Sequence, residues 1–438
     1  MENPILYVER IMWLLREGGV DEGSVRRTGE MLGTPVKRVD ALKARYSDVF
    51  SRFIEKRCSE AGSQYVVCIY SWNRRKSFRV FPVSLYATGT IILFRGEEPL
   101  EVLSNPIPKA IDYQGALGII SQDIVPLYAS KRVDGWQVNA YYDKILGRWI
   151  FSTRYVLHNM YFSRGVLNID RYGEISNPLV SLADSIAFRE NLYGRLAGRE
   201  GWTFIFNIVG PEPAITAPPY PIAPNPEEYR LYLVAARRND GVLISGFEAS
   251  KEIGWSYYPE PVLPASLDDL YRYIRSSLDT RSIIAWVKSG AFEQDPLLVE
   301  IPSQYYYDAM MVKHLYDAKS ALILCSEGLT DHIKNLVSDN IGARVEAIDR
   351  IYRALVKAIE MRGADDMLIR SIRDLIRSSR AREIVSEEEI KSEIASRNIR
   401  RVARKILAIM LEERSLASDD ISSIISRIEE IIGFMRNH

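Results

Sequence analysis

Cysteine is scarce: Cys58, Cys68 and Cys325 are scattered along the chain without a CxxC pair or an even framework. That spacing argues against structural disulfides and against a zinc site, and for a reducing interior. The four histidines are far apart; His314 and His332 read as helix residues, so no histidine-based catalytic set is expected. Net charge is missing as well, since lysine plus arginine and aspartate plus glutamate each total 57. Any attraction to nucleic acid must therefore come from local basic patches. No apolar run approaches the roughly 20 residues of a membrane span, and an N-terminus carrying Glu2 and Glu9 lacks a signal layout, so a cytoplasmic protein is expected. Neither a strand followed by GxGxxG nor a GxxxxGK[ST] loop occurs, which removes support for a dinucleotide fold and for a P-loop.

What is present falls into three textures. Residues 1–60 read as a helical module. Ile5, Val8, Ile11, Met12 and Leu15 recur at helical spacing, and "SVRRTGEMLGTPVKRVDALKARY" resembles a helix-turn-helix pattern. Its second helix is expected from about Pro35 and carries Lys37, Arg38, Lys43 and Arg45, candidate phosphate contacts on RNA or DNA. Residues 61–305 turn to short β-rich runs: "YVVCIYSW", "FRVFPVSLYAT", "TIILFRG", "GWQVNAYYD", "RWIFSTRYV", "WTFIFNIVG", "LYLVAARR" and "SIIAWVKSG". With helices expected near 177–198 and 266–278, this is an antiparallel α+β domain. The stretch 211–226 holds seven prolines and is expected to be an extended loop. Residues 306–438 read as an all-α domain with two apolar stripes, one from Ile348 to Ile359 and one from Ile421 to Ile432. Basic clusters at Arg397, Arg400, Arg401, Arg404 and Lys405, and at Arg373, Arg377 and Arg380, fit a solvated face, RNA contact or an oligomer or protein interface.

The segment "SKRVDGWQVNAYY" sharpens the question of function, because Lys-x-Asp-Gly is the pattern that carries a nucleophilic lysine in covalent nucleotidyl transferases. The order of features from 87 to 305 resembles the phage-type ATP-dependent RNA ligases of that superfamily. "PIPKAIDY" is similar to a Pro-x-x-Lys run and places Lys109 as an ATP-phosphate lysine. "GRWIFSTRYV" is similar to the strand ending in Thr-Arg and brings in Arg154. "TFIFNIVGPEPAI" and "LLVEIPSQYY" are similar to the later strand motifs. The resemblance implies an antiparallel-sheet nucleotidyl transferase domain, a nucleotide pocket at Lys109, Asp134, Gly135 and Arg154, and a need for ATP and Mg2+ if the ligase chemistry operates.

Five departures cut across that implication. Arg132 stands in the lysine's place and Lys131 is one residue early; a guanidinium, with a pKa above about 12, cannot lose the proton a nucleophile must lose. Lys131 is thus the only catalytic candidate, and it reaches the site only if a bulge shifts the strand. Thr88 replaces an arginine before Gly89. Asn207 replaces a glutamate and cannot neutralise a divalent ion. Glu300 and Pro302 replace two phosphate-binding lysines; a carboxylate about 4 Å from a phosphate costs roughly 4 kcal/mol at an effective dielectric near 20. Pro213 and Ala214 replace Asn-Arg. These changes point to a catalytically degenerate, ligase-like protein that binds nucleic acid, a nucleotide or a 5′-phosphate end, with no metal site. Two other readings stay open: a divergent active ligase forming lysyl-AMP on Lys131, and a subunit that assembles through its C-terminal helices.

Overall fold

The computed structural model describes residues 2–73, 79, 81–164, 178–210, 226–288, 295–313, 317–335, 337–377 and 386–437. The proline-rich stretch, with Pro213 and Ala214, lies outside these residues apart from its last position, as do His314 and Arg380. The side chains of Arg373 and Arg377 are likewise not described. The chain divides into two compact units, one of residues 1–274 and 280–302, the other of residues 275–279 and 303–438. No helix among the described residues is long and apolar enough to cross a membrane.

The first unit begins with helices α1 (Pro4–Glu17), α2 (Glu22–Met31) and α3 (Val39–Arg52). The third helix starts at Val39 and not near Pro35, because the chain from Leu32 to Arg38 wraps closely over Gly29. A Cβ on Gly29 would lie 2.7 Å from both the Thr34 carbonyl oxygen and the Val36 nitrogen. Strands β1 (Ile54–Glu60), β2 (Tyr65–Trp72), β3 (Thr88–Arg95) and β4 (Glu98–Ser104) form an antiparallel sheet in the order β1-β2-β3-β4. The helical texture assigned to 1–60 therefore ends earlier than expected, at Arg52. Between β2 and β3 a single helical turn, α4 (Pro82–Tyr86), replaces the strand expected at 78–88. Pro82 suits a first helical position, and the Phe81 backbone N–H donates to Ser84 Oγ at 3.1 Å.

The continuous apolar runs of β2 and β3 follow from burial on both faces. Cys68, Tyr70, Ile92 and Phe94 pack toward Ile5, Val8, Leu42 and Val49 of the helices. Val67, Ile69, Ile91 and Leu93 pack toward Tyr141 and Ile150 of a second sheet. A buried carboxylate helps fix the helices: Glu9 Oε1 accepts from Tyr46 Oη (3.0 Å), Lys56 Nζ (3.1 Å) and Tyr70 Oη (2.9 Å). Burial, and then the Glu9 charge, push both phenols above their ordinary range.

The expectation of no disulfide is overturned. Cys58 and Cys68 are bonded, because the β1/β2 hairpin sets them directly opposite one another. Reading 54–60 as helix hid that pairing, and with it goes the cysteine-based case for a reducing interior.

Next come β5 (Ile111–Asp112), α5 (Tyr113–Ala116), β6 (Tyr128–Lys131), β7 (Trp136–Asp143), β8 (Arg148–Thr153), α6 (Pro178–Arg189), α7 (Leu192–Leu196), β9 (Thr203–Val209) and β10 (Arg230–Arg237). The unit is completed by β11 (Leu243–Ser245), α8 (Gly246–Ile253), α9 (Leu267–Ile274), β12 (Ser282–Val287) and β13 (Leu297–Pro302). They build a five-stranded sheet, β11-β10-β9-β7-β8, and a four-stranded sheet, β5-β13-β12-β6. One face of the five-stranded sheet, with Val138, Ala140, Phe204 and Phe206, is covered by Val180, Ala183 and Ile186 of α6. The other meets the four-stranded sheet through Ile107, Ile205, Trp286 and Leu298.

The second unit is helical: α10 (Gln304–Lys313), α11 (Ala318–Ser326), α12 (Thr330–Lys334), α13 (Asp339–Arg362), α14 (Asp366–Arg377), α15 (Glu387–Ala395), α16 (Ile399–Leu411) and α17 (Asp420–Asn437). Ile348, Ile351 and Leu355 on α13, and Ile421, Ile425, Ile428 and Ile432 on α17, are buried. Much of the basic cluster on α16 is ion-paired within the unit: Arg404 to Glu327 (2.8 Å), Arg401 to Glu393 (3.8 Å) and Lys405 to Glu389.

Candidate functional site

Strand periodicity builds the site. Ile205, Trp286 and Leu298 close the apolar contact between the two sheets. Side chains two residues apart share a face, so the same faces carry, further along, Asn207 on β9, Ser282 on β12 and Glu300 on β13. The apolar seam thus gives way to a cluster of partly exposed polar side chains. Gln137 is paired with Asn207 across β7 and β9 and extends it.

Register also decides which side chain of the Lys131–Arg132 pair enters the cleft. β6 pairs with β12 in unbroken antiparallel register, Ile283 opposite Lys131 and Ile284 opposite Ser130. The bulge that Lys131 would need is not there. Lys131 lies on the face shared with Ile283, and its Nζ donates to Glu260 Oε2 at 2.8 Å. Arg132 takes the opposite face, where its Nη1 donates to Glu300 Oε1. Of the two neighbouring basic residues, Arg132 is thus the one aimed at the polar cluster.

Around that pair the charges interlock. Ser282 Oγ donates to Glu300 Oε1 (2.9 Å), and Arg281 Nε lies 3.8 Å from the same oxygen. Arg281 Nη1 reaches Asp134 Oδ1 at 3.3 Å, with Arg132 Nε 3.9 Å from it. Burial works to raise the Glu300 carboxyl, but the two guanidinium groups and the Ser282 and Arg132 hydrogen bonds outweigh it and hold the pKa below the usual carboxylate value. Lys109 is half-buried, its ammonium 4.0 Å from the Trp72 ring centroid. Burial, and then the charge of Arg154, push its pKa down to about 8, with Glu300 pulling the other way. Arg154 Nε donates to Gln137 Oε1 (2.7 Å), and Gln137 Nε2 in turn donates to Asn139 Oδ1 (3.0 Å).

The remaining candidates take structural places. Asn207 Nδ2 donates to the Val133 carbonyl at 2.7 Å and ties β9 to the segment after β6. Gly135 is needed sterically, since a Cβ there would lie 2.3 Å from the Ile208 carbonyl oxygen. Thr88 is buried and donates to the Ile107 carbonyl (2.8 Å). Beside it Gly89, at φ +102°, leaves room for Asn139 and Thr153. Pro302 closes β13 opposite Ser282. Among the N-terminal cations, Lys37, Arg38 and Lys43 are exposed. Arg45 instead donates to the Leu32 carbonyl (3.0 Å) and pairs with Asp48 (3.0 Å), over the Phe81 ring.

Arg281, Trp72, Gln137 and Glu260 have no place in the motif pattern. Arg281 had one available signal: it directly precedes a strand that is hydrophobic on both faces, a position where a charged side chain reaches a sheet edge.

The donor set does not fit a divalent metal. Glu300 is held by guanidinium groups, and among the described residues no cluster of three or more His, Cys, Asp or Glu side chains could hold an ion.

No family model matches the chain, and no curated protein matches it. Among solved structures the chain is similar to an archaeal ATP-dependent RNA ligase, form 1, at 14% identity over 94% of this chain and 80% of that one, with a TM-score of 0.36. A form 2 structure of archaeal ATP-dependent RNA ligase gives 13% identity over 66% and 67%, TM-score 0.34. A Naegleria gruberi RNA ligase mutant with ATP and Mn gives 10% identity over 59% and 97%, TM-score 0.29.

Proposed function

We propose that the chain is a ligase-like nucleotidyl transferase scaffold that binds a phosphate-bearing nucleotide or nucleic-acid end and forms no lysyl adenylate. One observation carries this: the cleft presents Arg132, paired with Glu300, where a nucleophilic amine is required, while Lys131 is turned to Glu260 on the opposite face. A guanidinium is an anion-binding group with bidentate geometry and no accessible neutral form. With Lys109, Arg154 and Arg281 it makes a half-buried cationic cleft suited to phosphate oxygens, with Asp134 and Gly135 shaping its wall. Exposed Lys37, Arg38 and Lys43 supply outlying contacts for a nucleic-acid backbone. Since the donors do not fit Mg2+, no step through ATP and metal is assigned.

The test is intact-mass measurement after incubation with ATP and magnesium, beside binding of phosphorylated RNA and DNA at two salt concentrations. No mass gain, with affinity that weakens as salt rises, is the expected result. An added AMP located on Lys131, and lost in Lys131→Ala, would establish the divergent-ligase alternative instead.

A further inference from the structure

The Cys58–Cys68 disulfide ties an edge strand that has little else to hold it. Of β1 only Ile54 is buried, and Arg57 pairs with Glu55 of its own strand (2.8 Å). The opposite edge strand, β4, buries Pro99 and Leu103 and carries no such bond. Apart from ladder hydrogen bonds, the outer half of β1 is held by the disulfide and by Ser59 Oγ, which donates to the Tyr161 carbonyl at 3.2 Å. The neighbouring cross-strand pair on the same sheet face is Lys56 and Tyr70, next to Cys58 and Cys68. Both side chains donate to Glu9 of α1, as does Tyr46 of α3, and Glu9 is 6% exposed. From this juxtaposition we infer that Cys58–Cys68 is a redox-controlled latch: its reduction by a dithiol frees β1 and, through Lys56, loosens α1 and α3 from the sheet. The latch is independent of whether the Arg132–Glu300 cluster takes phosphate.

Cys58 is the exposed member of the bond and Cys68 the buried one, so an incoming thiolate meets Cys58. Its attack breaks the S–S bond, and Cys68 leaves with the electron pair and takes up a proton. The second thiol of the reductant then attacks its own sulfur in the mixed disulfide, releasing Cys58, which is protonated in turn. Two electrons and two protons have passed to the protein, and the dithiol has become a disulfide. Without the cross-link β1 opens more often, because β2 and β3 are buried on both faces and keep their place without it. Each opening withdraws the Lys56 ammonium from Glu9 and leaves a buried carboxylate with two phenols and no cation. α1 and α3 keep their apolar contacts but lose the ionic tie that joins them to the edge strand.

The experiment is amide hydrogen exchange read by mass spectrometry on the full chain, oxidised and after dithiothreitol. Alkylation of the denatured protein first counts thiols, with only Cys325 expected to react before reduction. Reduction is expected to speed exchange in 54–60 roughly tenfold or more. A smaller rise should follow in 4–17 and 39–52, with 203–209 of the five-stranded sheet unchanged and slow exchange restored on reoxidation. Cys58→Ser/Cys68→Ser is expected to show the fast pattern without reductant and no response to it; if that variant does not fold, the wild-type comparison carries the test. Lys56→Met, with the disulfide intact, is expected to speed exchange in 4–17 and 39–52 while 54–60 stays slow. Free thiols at Cys58 and Cys68 before reduction, or a bond that dithiothreitol does not open in the folded chain, would overturn the latch. So would a rise confined to 54–60, which makes the bond a local staple, or an equal rise that includes 203–209, which makes it a global one.

Discussion

Two arginine–carboxylate networks in the first unit use the same chemistry for different ends. Arg237 is 4% exposed and holds Asp295 with two hydrogen bonds of 2.9 Å each. Its remaining donors reach the carbonyls of Asn105 (3.1 Å) and Gly241 (2.8 Å), and Tyr86 caps Asp295 from outside. One cation meets one anion, and the donors are consumed. The Arg132–Glu300 network is more open, with Arg132 30% and Glu300 19% exposed, and Arg281 is shared between Glu300 and Asp134. A dry, balanced pair fixes strands in place, since either partner left alone would be a buried unpaired charge. A more exposed pair is weakened by solvent screening and contributes less to holding the strands.

That contrast is open to attack, beginning where the effect is largest. Arg237→Ala is expected to cost about 3–5 kcal/mol in urea unfolding, because Asp295 is stranded in the interior; a loss under about 1 kcal/mol would put the two networks on the same footing. Replacing Cys58 and Cys68 by serine reopens a loop of sequence separation 10. It is expected to cost roughly 2–3 kcal/mol by chain entropy, with reductant reproducing the loss in the wild type. Arg132→Ala is expected to cost about 1–2 kcal/mol of stability, between the exposed and buried limits, while weakening phosphate binding. A large stability loss with phosphate affinity unchanged would make the cleft network structural after all.

The smallest effect is in pH dependence. Lys109 must be protonated to attract phosphate and its pKa is pushed down to about 8, so affinity for a phosphate monoester is expected to fall as pH rises through that region. Lys109→Arg is expected to flatten the profile. The stability sign is the reverse: the folded state disfavours the charged amine, so the unfolded chain binds the proton more readily between about 8 and the ordinary value of 10.5. Over that window the Lys109 contribution to stability improves with rising pH.

Local pattern carried much of the fold. The runs at 65–72, 136–143, 203–209 and 282–287 are strands because β-branched and aromatic residues in short blocks bounded by Gly, Asp and Asn have few other uses. The stripe through Ile421, Ile425, Ile428 and Ile432 faces a helical core for the same kind of reason. Misses came where local signals competed. Apolar alternation at 78–88 yielded to Pro82, and the charged edge strand Ile54–Glu60 had no apolar pattern to betray it. Of the cluster, Lys109, Asp134, Arg154 and Glu300 stand in segments that motif order singled out, whereas Arg281 and Glu260 come from 147 and 129 residues along the chain from their partners.

By itself the sequence determined that Arg132, an obligate cation, stands two residues before Asp134, and that Glu300 and Pro302 alternate at the end of a strand. Side-chain chemistry is local, so no fold can turn a guanidinium into an amine. Only the tertiary structure decided which of two neighbouring basic residues faces the cleft, and that Glu300 is satisfied by Arg132 and Arg281 instead of repelling a ligand unopposed. Both depend on strand register, and register is fixed by the pairing of β12 with nearby β13 and of β6 with β12 across more than 100 residues of intervening chain.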